Sequence, residues 1–166
     1  MVDREQMDSE IAREFVAQLQ EEMAAGVAKP QGLMLLAMMG RLRDAPVQAF
    51  TEQALLQTES EGFNCLHHAA RNNELDVLPP AFRTQHYFST RDGFGQTVFH
   101  YAAQSGCLHQ IPRELLTEEN LMAADRHGYC ALQHAAEHNH LEQVPRDFTT
   151  PEKLAAAAAL RTRILE

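Results

Sequence analysis

Histidine is the residue in this chain most able to do chemistry, with nine copies in 166 residues. His134-Ala-Ala-Glu137-His138 sets two imidazoles four residues apart with a carboxylate between them. Residues at i and i+4 share one face of a helix, so the pair could chelate zinc. The order His-x-x-Glu-His is also one that zinc peptidases use, with the glutamate as general base. His140 could add a third nitrogen. Such a peptidase needs a further carboxylate ligand well downstream in a much larger fold, and 28 residues follow His138. The three cysteines are an odd number without Cys-x-x-Cys spacing, which points to a reducing compartment rather than to a disulfide or zinc framework. No Gly-rich phosphate loop and no Gly-x-Ser-x-Gly elbow is present. No catalytic residue, cofactor or metal is therefore expected.

The elements that carry these histidines form a repeat. Gly62, Gly95 and Gly128 are spaced by 33, and so are Ala69-Ala70, Ala102-Ala103 and Ala135-Ala136. Leu75, Leu108 and Leu141 keep the same phase, as do Pro79, Pro112 and Pro145. A fixed period of this size marks a stacked repeat. The phase accounts for Ala135 and Ala136 without any metal. Each glycine follows a polar turn where positive φ is expected. Asn73 and Asn139 tolerate the left-handed region that suits a helix C-terminus. The paired alanines let neighbouring helices approach closely. Asp92 and Asp125 are in phase, with Glu59 one repeat earlier, and an acid there can bond to turn amides.

The pattern Gly-x-Thr-x-hydrophobic-His-x-Ala-Ala-x-x-Gly-x-Leu, best kept in Gly95–Leu108, resembles the ankyrin repeat in residues and period. The resemblance implies an all-α helical solenoid that binds other proteins. It also implies that His67 and His100 tie the turn backbone through their ring nitrogens. Departures are Asn64 for Thr and Asn73 for Gly in the first clear unit, and Cys130 for Thr, Gln133 for His and Asn139 for Gly in the last. The second half departs further. Proline cannot sit inside a helix without costing about 3 kcal/mol, and Leu78, Ile111 and Val144 before the prolines are pushed towards extended geometry. The second helix is expected to be short and broken. A helical turn should come after it, N-capped at Thr117 and again at Thr150 with Pro151 at the first helical position.

In order, residues 1–28 are expected to hold an N-terminal capping helix, with Met7, Ile11, Phe15, Leu19 and Met23 every four residues. A worn repeat should span 29–61, succeeded by repeats at 62–94 and 95–127. The last unit, 128–166, should end in an alanine-rich capping helix. Hydrophobic content of 45 % fits a folded chain. The net charge of −9, with no basic stripe, argues against nucleic acid. The acidic N-terminus shows no signal-peptide pattern, and the longest apolar run is too short to span a bilayer. A cytoplasmic location is expected, and secretion by a machine that reads other signals is the alternative.

The function expected is recognition of another protein. By phase, the ankyrin-like contact surface comprises three sets. The first is Glu61, Phe63, His68, Arg71 and Asn72. The second is Phe94, Gln96, Tyr101, Gln104 and Ser105. The third is Arg126, His127, Tyr129, His134, Glu137 and His138. Phe63, Phe94 and Tyr129 are expected to face solvent as an aromatic strip. His68, Tyr101 and His134 form a second ladder whose role depends on its burial. The chain should be monomeric on its own. Self-association through a terminal helix is the alternative, and a His-based metal site ranks behind it.

Overall fold

The computed structural model describes residues 13, 14, 16–18, 20–22, 25 and 31–164. The residues expected to form the apolar stripe of an N-terminal helix, Met7, Ile11, Phe15, Leu19 and Met23, lie outside these. Those described between 13 and 22 are helical, and Val16 among them is buried.

From residue 31 one succession recurs: an α-helix, a 3₁₀ turn, a proline, a second 3₁₀ turn and a closing helix. Its first pass has α1 (Gln31–Met38) and α2 (Glu52–Leu56), its second α3 (Cys65–Arg71) and α4 (Gln85–Phe88). The third pass has α5 (Val98–Ser105) and α6 (Glu118–Met122), the fourth α7 (Ala131–Glu137) and α8 (Pro151–Ile164). No strand occurs among the described residues, although an antiparallel bridge joins Thr58 to Asn64.

Local chemistry sets the boundaries. Asn64 opens α3 by accepting from Leu66 N and His67 N at 3.0 and 3.2 Å. The inner helices end where Asn73, Gly106 and Asn139 turn left-handed, with φ of 60°, 71° and 61°. The prolines break the second helix of each unit, in agreement with their spacing. Leu78, Ile111 and Val144 are extended, with ψ of 131°, 136° and 135°, and the chain continues as 3₁₀ turns. Thr117 Oγ1 accepts from Asn120 N and Thr150 Oγ1 from Lys153 N, which restarts the outer helices.

α1, α3, α5 and α7 stack side by side as an inner layer. Ala69, Ala70, Ala102, Ala103 and Ala135 are wholly buried between them, where larger side chains would hold the helices apart. Leu66, Leu75, Phe99, Leu108 and Leu132 fill the core. Amides strap one unit to the next. Gln110 Oε1 accepts from Leu75 N at 2.8 Å while its Nε2 donates to Asn73 Oδ1. One repeat later Gln143 Nε2 donates to Gly106 O at 2.7 Å. In the outer layer Gln85 and Asn120 exchange two amide hydrogen bonds, and Lys153 pairs with Glu118. The architecture is an all-α helical solenoid. No helix among the described residues is long and apolar enough to cross a membrane.

Candidate partner-binding face

The turns before the inner helices stack tip upon tip. Gly93 N donates to Glu61 O at 2.8 Å, and Arg126 N donates to Phe94 O at 3.0 Å. Gly62 is needed at this contact: its φ is +78°, and a Cβ there would lie 2.7 Å from Gly93 N. Inside each tip an acid gathers the backbone. Asp92 Oδ1 accepts from Phe94 N and Gln96 N at 2.8 and 2.9 Å. Asp125 Oδ1 accepts from His127 N and Tyr129 N at the same distances, and its Oδ2 accepts from Gln96 Nε2 at 2.8 Å. Burial alone would raise the Asp125 carboxyl, but these donors, Gln96 first, hold it below the usual carboxylate range.

His67 and His100 sew each inner helix to the next turn. His67 Nδ1 accepts from Asn64 N at 3.1 Å and its Nε2–H donates to Thr90 O at 3.0 Å. His100 repeats this with Thr97 N at 3.0 Å and Tyr129 O at 3.2 Å. Burial lowers both histidines, His100 to about 4, so the rings stay neutral with the proton on Nε2. Both rings are fully buried, and their four bonds engage backbone groups. Gln133 stands in phase with them and keeps the first bond alone, accepting from Cys130 N at 2.7 Å.

The described surface divides the sixteen residues predicted to meet a partner. Glu61, Arg71, Asn72, Phe94, Arg126, His127, Glu137 and His138 are exposed, while Gln96, Gln104, Ser105 and Tyr129 are half-buried. Phe63 does not face solvent as expected. It is 6 % exposed, held edge-on to Phe94 at 6.2 Å and covered by the Arg71 guanidinium at 5.8 Å. The aromatic strip therefore narrows to Phe94, 41 % exposed, with Tyr129 stacked on His134 at 5.4 Å. The second ladder is also buried and serves packing. His68 Nε2 donates to Glu59 Oε1 at 3.0 Å, and Tyr101 Oη donates to Asp92 Oδ2 at 2.5 Å. His134 breaks the series: Gln96 already occupies Asp125 Oδ2, and the buried His134 Nδ1 has no hydrogen-bond partner among the described residues.

Sequence reasoning placed the acids but missed their ring partners. The separation of nine residues, in Glu59–His68 and Asp92–Tyr101, was available as a signal. It also missed the strap glutamines, although Gln110 and Gln143 share the phase. The remaining histidines do not converge. His138 Nδ1 donates to His134 O at 3.0 Å, and the His140 ring packs against Gly106. Among the described residues, no three His, Cys, Asp or Glu side chains are grouped to hold a metal ion.

Stacked helical units joined by hydrogen-bonded turn tips define a repeat solenoid. Residues 82–145 match the family model described as ankyrin repeats (3 copies), so this stretch is similar to the ankyrin repeat family. No curated protein matches the chain.

Proposed function

We propose that the chain is a non-catalytic interaction module that holds another protein against its turn tips and the exposed edge of its inner helices. Ankyrin repeats are in general protein–protein interaction modules, which supports this reading. The observation that carries it is Phe94. Its ring stands 41 % exposed on the central tip, while its backbone is fixed by the Asp92 carboxylate and by the bond to Arg126 N. A large apolar side chain on a preorganised backbone loses little freedom on binding, the usual condition of an interface hot spot. Glu61, Arg71, Asn72, Arg126, His127, Glu137 and His138 form its polar surround. In this reading, units 29–61, 62–94, 95–127 and 128–166 succeed an N-terminal cap of residues 1–28, and the protein works in the cytoplasm without a cofactor.

Affinity capture from a lysate of the source organism, read by mass spectrometry, tests this. Wild type should retain a protein that Phe94→Ala, with unchanged helical content, loses. Equal retention by both removes Phe94 as the anchor.

A further inference from the structure

We propose that this face is self-complementary and closes on a second copy of the chain. The inference rests on the tip-and-helix face being the binding surface. Residues 33 apart make two rows across it. Along the tips the row runs Glu61, Phe94, His127, with Arg126 beside His127. Along the inner helices it runs Arg71, Gln104, Glu137. The tip row passes from acid through an apolar centre to base, and the helix row passes from base through an amide to acid. The rows lie side by side, because the Arg71 guanidinium covers Phe63 of the first tip, while His134, in α7 with Glu137, stacks on Tyr129 of the third.

The four corners, Glu61, Arg71, Arg126 and Glu137, are exposed, and none forms an ion pair among the described residues. Of the other tip acids, Asp92 and Asp125 are buried and taken up by backbone and side-chain donors, and the half-buried Glu59 is taken up by His68. Stacked helices lie about 8–10 Å apart, so the ends of a row are about 20 Å apart. That is beyond the screening length of about 8 Å at physiological salt, so the ends act independently.

A two-fold axis running across the central repeat, from tip to inner helix, exchanges the ends of both rows. Glu61 then meets the second copy's Arg126 and His127, and Arg71 meets the second copy's Glu137. At the centre Phe94 meets its own copy, as does Gln104. Opposite charges fall together at all four corners, and the exposed aromatic lands on the axis. This is the arrangement an isologous dimer requires. A two-fold axis along the stack would also pair opposite charges, Glu61 with Arg71 and Arg126 with Glu137, but it would set Phe94 on Gln104 instead of on its own copy.

Sedimentation equilibrium over a concentration series tests this. Wild type should rise above the 18.7 kDa of one chain and fall back as salt is raised. Glu61→Lys and Arg126→Glu, each alone, should associate about tenfold more weakly. An equimolar mixture of the two should recover, because its mixed dimer has one wild-type corner and one of reversed sign, and the double variant should recover with both corners reversed. Arg71→Glu with Glu137→Arg repeats the test at the other corners, and circular dichroism checks folding. Wild type that stays at one chain mass, or variants that associate like wild type, would overturn the dimer. Capture of a foreign protein through Phe94 would then still stand. A dimer that recovers on mixing, with no foreign protein retained by any variant, would remove the interaction module and leave this inference.

Discussion

The central and the last repeat share a phase and differ in what lies beyond them. In the central repeat His100 reaches the next turn, and Ala103 is wholly buried beneath α7. In the last repeat Gln133 reaches, among the described residues, only its own Cys130 N, and Ala136 is exposed. α8 covers this end in part, with Ala157 buried. It leaves a cleft of about 300 Å³ lined by Leu132, Gln133, Ala136, Glu137, Leu154, Ala157 and Ala158. Much of the repeat pattern is thus a requirement of having a successor. Where no further inner helix stacks on, the histidine and the uncovered alanine lose their task.

Exchanging the two environments tests this, and the largest effect should come from bulk. Ala103→Leu forces a branched side chain between two helices in contact and should destabilise by about 3 kcal/mol. Ala136→Leu has the cleft to enter and should stay within about 0.5 kcal/mol of wild type. Urea midpoints on the pair measure the difference, and equal losses would refute it.

The helix ends come next. Gly106 has φ of +71°, and a Cβ there would meet the His140 ring at 2.8 Å. Gly106→Ala should therefore cost about 2 kcal/mol. Asn139→Gly, which relieves a left-handed asparagine, should change the midpoint by under about 0.5 kcal/mol.

The smallest loss expected at neutral pH is the most specific, the two near-neutral controls aside. His100→Gln gives the central repeat the last repeat's side chain. It should lose the bond to Tyr129 O, about 1 kcal/mol at pH 7.5. Its pH response should differ more clearly. His100 titrates near 4 when folded against an ordinary value near 6.5, so the unfolded chain takes up the proton first. The stability this group contributes is present above about pH 6.5, declines as pH falls and is gone below about 4. The loss is about 3 kcal/mol across that window. Urea midpoints from pH 7.5 to 4.5 should fall less steeply in the variant. His67, lowered by the same cause, keeps its share in both proteins.

Most of this arrangement could be read from residue types. The 33-residue phase located the turns, the alanine contacts and the proline breaks, and the resemblance to the ankyrin repeat implied the histidines that tie the turn backbone. Burial of single rings could not be read in this way. Phe63, His68, Tyr101 and His134 occupy positions that the pattern assigns to the exposed edge. Whether such a ring lies in or out depends on its particular neighbours. Glu59 and Asp92 draw His68 and Tyr101 inward, and Arg71 closes over Phe63. Residue-by-residue transfer from a family pattern carries the position of a side chain but not the contact that decides its burial.

The glutamine straps each reach back to the preceding unit and no further. Under tension applied at the C-terminal end, load can therefore pass only from one repeat to its neighbour. The stack would yield as a zip fastener does, unit by unit. Each release of 33 residues would add about 115 Å of slack.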